Sequence, residues 1–141
     1  MWLLTLFVVQ YPKTARWRVL TAELLQSSYV RNPFTSSDSR QEVIQTTLAT
    51  LDNVLQPYAD PHMNNGERKR NLEELLKRSA LFAFTLFSQP SAWDFEWQGG
   101  HSVTSGEICI FPALMQVADE NGQQVSPPRP FSEAVVRRLD A

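Results

Sequence analysis

The chain has 141 residues, 43% of them hydrophobic and 20% charged, with a formal net charge of −2. That is the size and composition of one ordinary globular domain, able to build a core without metal or disulfide staples. The single cysteine, Cys109, excludes an intrachain disulfide and every multi-cysteine zinc pattern, and points to an intracellular setting, cytoplasmic or nuclear. His62 and His101 stand in no metal-ligand spacing, and the slightly negative total speaks against a general affinity for phosphate backbones.

The opening run from Trp2 to Val9 is apolar and breaks at Gln10, Tyr11 and Pro12, well short of the roughly 20 residues that span a bilayer. It has neither the basic start nor the small-residue cleavage site of an export signal. The run predicts a buried strand or a short core helix, with Trp2 and Phe7 as anchors for a partner if it stays exposed.

From about residue 14 to 31 the spacing turns helical, with Trp17, Leu20, Leu24 and Ser28 on one face. Ser39 and Glu42 have the spacing of a capping box and start a second helix over about 39–56. Its Ile44, Leu48, Leu51 and Leu55 share a seam, too short for a coiled coil and suited to packing within the chain. Pro57 ends it, and the stretch Asp60 to Gly66 is rich in turn formers.

A third helix is expected over about 66–88, forming a hairpin with the second. It opens on Arg68, Lys69 and Arg70, the one basic cluster, and offers Glu73 to Lys77 and Glu74 to Arg78 as pairs four residues apart. Three cations at a helix start oppose the helix dipole, which leaves room for a weak nucleic-acid contact, yet the neighbouring glutamates make a solvated salt-laced surface the plainer account. From Ala80 to Phe87 the run is apolar on every side, so other elements or a partner must cover it.

After Pro90 the period changes to two. Trp93, Phe95 and Trp97 alternate with Asp94 and Glu96, the pattern of a strand with one aromatic and one wet face. Glu107 to Phe111 predicts a second strand pairing with it, with Cys109 as a buried, inert thiol. Ala113 to Ala118 predicts a third strand, and Asn121-Gly122 a tight hairpin into Gln123 to Val125. The stretch Ser126 to Pro130 is stiff and extended, and Ser132 with Glu133 predicts a short C-terminal helix. The expected fold is thus α+β in a single domain, 1–141: three main helices, a small antiparallel β-meander over about 93–125, and a last short helix.

Chemistry is sparsely signalled. Residues 89–125 carry five carboxylates and no lysine or arginine, a local net charge of −5. Asp94, Glu96 and Glu107, with His101 on the Gly99-Gly100 loop, are the candidate catalytic groups for a small hydrolase or ligand-binding enzyme. No nucleophile elbow accompanies them, and the five glycines form no phosphate loop or dinucleotide fingerprint, so no cofactor is called for. Trp93 and Trp97, with Trp2 and Phe7, are the candidate partner-binding residues. The expected function is a non-catalytic protein-interaction or scaffold domain with a protein partner or a second copy of itself, rather than an enzyme or a nucleic-acid binder.

Overall fold

Three helices precede five strands in an α+β arrangement. The computed structural model describes residues 2–97 and 107–138, with residues 2–11 described for their backbone alone. The predicted loop holding His101 lies outside the described residues. No helix among the described residues is long and apolar enough to cross a membrane.

The first helix, α1 (Trp2–Gln26), begins twelve residues before the predicted start and runs on into a π-helical turn over Ser27–Arg31. The opening run is therefore helix, not strand. Pro12 sits inside α1; lacking an amide hydrogen, it withholds the bond to the carbonyl four residues back, a loss that the helix absorbs. Among the α1 residues whose side chains are described, Ala15 and Ala22 are buried, whereas Trp17, Leu20 and Leu24 are exposed, Leu24 to 82%. The apolar face read from the sequence thus points outward, and small residues make the inward contact.

Helix α2 (Arg40–Leu55) and helix α3 (Asn65–Ser88) match their predicted spans within a residue or so. A 3-10 turn over Gln56–Tyr58 carries Pro57 and ends α2 where expected. The capping differs from the prediction: Ser39 makes no side-chain cap bond, and Asp38 does the work instead. Its Oδ1 accepts the amide of Arg40 at 2.9 Å and its Oδ2 accepts the amide of Phe34 at 2.9 Å. A carboxylate is a strong acceptor for free amides at a helix start, which is why it displaces the neighbouring hydroxyl. In α2 only Ile44 and Asp52 are buried, and α3 buries no residue fully. Ala80 to Phe87 is helical, as the predicted span of the third helix had it, but it is not enclosed: Phe82 is 47% exposed.

The strands are β1 (Ala92–Glu96), β2 (Glu107–Phe111), β3 (Ala113–Ala118), β4 (Gln124–Ser132) and β5 (Val135–Arg138). They form a three-stranded antiparallel sheet in the order β1-β3-β4 and a separate two-stranded ribbon, β2-β5. This corrects the expected meander, in which β1 and β2 were neighbours. Central β3 supplies the buried Ala113, Leu114 and Ala118 and pairs Phe95 with Leu114 and Ala92 with Ala118. Strand β4 carries Pro127, Pro128 and Pro130, which an edge strand tolerates; Pro130 stands opposite Met115, while Pro127 and Pro128 fall where the pairing with β3 is irregular. The predicted C-terminal helix is absent; Val135 and Val136, β-branched and suited to a pleated strand, pair with Phe111 and Cys109.

Close packing divides the chain into two units, Met1–Leu20 with Ser88–Ala141, and Thr21–Phe87. In the first, Arg18 of α1 donates from Nη2 to the carbonyls of Ser91 at 3.1 Å and Pro90 at 3.4 Å, fastening the helix to the entry of β1. The β3–β4 turn closes as predicted on Asn121-Gly122. Asp119 Oδ1 accepts the amides of Asn121 at 2.9 Å and Gln123 at 2.8 Å. Gly122 has a φ of +74°, and a Cβ built there would lie 2.7 Å from Cα of Pro12, so both the left-handed backbone and the close approach to α1 require glycine.

Candidate interaction site

Strand side chains alternate between faces, and Asp94 stands opposite Met115 in register. The two carboxylates of β1 therefore share a sheet face with Met115 and Val117. That face carries an open groove of about 700 Å³ lined by Asp94, Phe95, Glu96, Trp97, Met115, Val117, Pro127 and Pro128, within the size range of small-ligand and side-chain pockets. Trp97 is 59% and Phe95 42% exposed. Asp94 Oδ1 accepts the amide of Phe95 at 2.8 Å. Neither Asp94 nor Glu96 belongs to an ion pair among the described residues. Trp93 packs edge-on against Phe131 at 5.6 Å between ring centroids, so the two candidate tryptophans part company: Trp93 joins the sheet packing and Trp97 stays open.

Glu107 is not with Asp94 and Glu96. It lies on the β2-β5 ribbon, where its Oε1 meets Arg138 Nε at 3.3 Å. Three of the four candidate catalytic groups are thus on described residues, two in one groove and the third in another sheet; His101 lies outside them. Among the described residues no group of three or more His, Cys, Asp or Glu could hold a metal ion. Cys109 is half-buried rather than buried, its thiol directed to the carbonyl of Phe111 at 3.3 Å. On both sides of it the ribbon exposes Ile108, Ile110, Phe111, Val135 and Val136.

In the helical unit, the predicted basic patch is largely spoken for. Asp52 of α2 bonds Arg68 Nη2 through Oδ1 and meets Lys69 Nζ at 3.0 Å through Oδ2. These hydrogen bonds, that of Lys69 foremost, hold the Asp52 carboxyl below its ordinary range and tie α2 to the first turns of α3. Gln45 adds a second tie, donating to Glu73 at 3.3 Å. Arg70 remains exposed. Farther along α3, Lys77 sits between Glu73 at 3.0 Å and Glu74 at 3.3 Å, which raises its pKa; it takes the partner expected for Arg78.

Sequence patterns gave no notice of Arg40. Its guanidinium stacks 4.0 Å from the ring centre of Tyr29 and 4.8 Å from that of Phe34, and its Nη2 donates to Asp38 at 2.8 Å and to the Tyr29 carbonyl at 3.2 Å. The Arg40 hydrogen bonds pull the Asp38 carboxyl down to about 2. The aspartate just ahead of a predicted helix was the signal that could have located this anchor. Beside it lies an apolar hollow of about 440 Å³ lined by Leu25, Tyr29, Arg40, Ala80, Ala83, Phe84 and Phe87, with Phe84 edge-on to Tyr29 at 5.4 Å. A second hollow of about 360 Å³ runs from Leu55, Tyr58 and Met63 to Leu72 and Leu75.

Set beside known proteins, the chain matches no family model, and no curated protein or solved structure matches it.

Proposed function

We propose that the chain is a non-catalytic protein-interaction or scaffold domain that works inside the cell, in cytoplasm or nucleus. One observation carries this reading: large apolar side chains stand exposed in rows, while the buried apolar residues among those described, Ala15, Ala22, Ile44, Pro112, Ala113, Leu114 and Ala118, are mostly small. Trp17, Leu20 and Leu24 form one such row on α1, Leu55, Tyr58, Met63 and Leu75 a second on the helical unit, and the β2-β5 ribbon a third. Covering one such side chain is worth roughly 1.5–3 kcal/mol before the cost of association is subtracted, so a handful of them suffices for a specific contact. The commitment of Arg68 and Lys69 to Asp52, and of Glu107 to Arg138, supports structural roles for those charges over nucleic-acid binding or acid-base chemistry. The lone cysteine supports the reducing compartment.

Sedimentation velocity over a concentration series, joined to cross-linking in cells that express the chain, tests the proposal. The expected result is reversible self-association or a reproducible cross-linked neighbour through one of these rows. The row itself should be confirmed by a lysine substitution such as Leu24→Lys that abolishes the contact and leaves the circular dichroism unchanged. A particle that stays monomeric throughout and yields no cross-linked neighbour overturns it.

A further inference from the structure

The groove on the β1-β3-β4 sheet has a composition that the apolar rows lack. It is lined by the aliphatic Met115 and Val117, by the exposed indole of Trp97, and by Asp94 and Glu96, with no cation paired to either carboxylate among the described residues. The whole stretch from 89 to 125 has no lysine or arginine, so no basic residue of β1 or β3 offsets their field. Arg129 of β4 pairs in register with Gln116 and is absent from the groove lining. Carboxylates beside an exposed aromatic face attract a planar, weakly hydrated cation twice over, by charge and by the ring quadrupole.

We infer that this groove receives an arginine side chain of a basic partner peptide, the guanidinium bridging Asp94 and Glu96 and stacking on Trp97. The inference rests on the interaction reading above and assigns its partner a chemistry: a short arginine-bearing segment. Charge complementarity selects it. An acidic peptide meets two like charges at the rim, and a wholly apolar one strands both carboxylates against its own surface. Addition of a partner strand to the β1 edge is the lesser alternative, because the amide of Phe95 is already taken by the Asp94 carboxylate.

The test is fluorescence anisotropy of the full chain with a labelled tetra-arginine peptide and its neutral, isosteric tetra-citrulline analogue. Arginine is expected to bind about tenfold or more tightly than citrulline, with affinity falling as salt is raised. Asp94→Asn with Glu96→Gln should weaken the arginine peptide about tenfold; asparagine keeps an oxygen for the Phe95 amide, so the strand is preserved. Trp97→Ala should weaken it severalfold. Glu120→Gln, which removes an exposed carboxylate outside the groove, should change it less than about twofold. Equal weakening by Glu120→Gln, an unchanged affinity in the Asp94/Glu96 variant, or no binding at all overturns the assignment. Because the apolar rows are assayed without this peptide, loss of the groove leaves the interaction reading standing if self-association or cross-linking is seen, and the reading falls by itself if neither is.

Discussion

Replacing Asp38 with asparagine preserves the shape of the side chain and removes the charge that Arg40 is built around. The aspartate side chain is 1% exposed and that of Arg40 15%, so the pair is shielded, although the adjoining Thr35, Ser36 and Ser37 are open to water. Lowering the carboxyl from 3.8 to about 2 corresponds, at about 1.36 kcal/mol for each pH unit, to roughly 2.4 kcal/mol as an upper bound. Solvent at the open side of the loop screens part of this, which leaves about 1–2 kcal/mol. The sign follows from the direction of the displacement. A carboxyl whose folded value lies below its unfolded one contributes fully above the unfolded value, near 3.8, and loses that contribution as pH falls through about 2. Urea unfolding followed by circular dichroism, for the parent and Asp38→Asn at several values between pH 6 and pH 2, reads the effect directly. The two curves should differ by about 1–2 kcal/mol at pH 6 and converge toward the acid end. A gap that stays constant over that range, or no gap at pH 6, refutes the claim that ionic pairing with Arg40 anchors the start of α2.

Three other outcomes are expected. Gly122→Ala should cost about 2–3 kcal/mol in urea unfolding, more than the usual penalty for a left-handed residue, because the added methyl meets the backbone of Pro12; a neutral variant would show that the turn does not rest on α1. Asp119→Ala strips the acceptor from two turn amides and should cost about 1–2 kcal/mol, with amide exchange at Asn121 and Gln123 accelerated by roughly the same factor. Asp52→Asn should lower the melting temperature and erase the acid-side loss of hairpin stability, since its depressed carboxyl stabilises above the ordinary carboxylate range and ceases to as pH falls; a melting temperature equal to that of the parent at neutral pH would deny Asp52 its part in joining α2 to α3.

What could be read in advance was what is local. Helices α2 and α3 were legible because an apolar repeat near 3.6, a proline after one and an asparagine-glycine run before the other are nearest-neighbour signals, and Asn121-Gly122 marked its hairpin for the same reason. Pro12 misled because proline suggests a stop, yet a long helix can forgo one hydrogen bond when its flanks are held, here by Arg18 and the Gly122 turn. Strand order was out of reach: β1 skips β2 to join β3, and such a choice depends on contacts distant in sequence. The same holds for Val135 and Val136, whose strand partner is β2 while the nearby Ser132 and Glu133 suggested a helix cap. At the candidate groove, alternation placed Asp94 and Glu96 on one face correctly, but it could not foresee that Glu107 would leave for another sheet or that Trp93 and Trp97 would take different surroundings.

The two sheets differ in how they would fare in a crowded or partly unfolded population. Prolines 127, 128 and 130 blunt one margin of the three-stranded sheet, and the side chain of Asp94 occupies an amide of the strand at the other, so neither margin is a good template for further chains. Among the described residues the β2-β5 ribbon has no such guard along Ile108, Cys109 and Ile110. Fibrillar growth of this protein would accordingly nucleate on the ribbon, and a lysine or proline placed there would act as a gatekeeper where one in the larger sheet would change little.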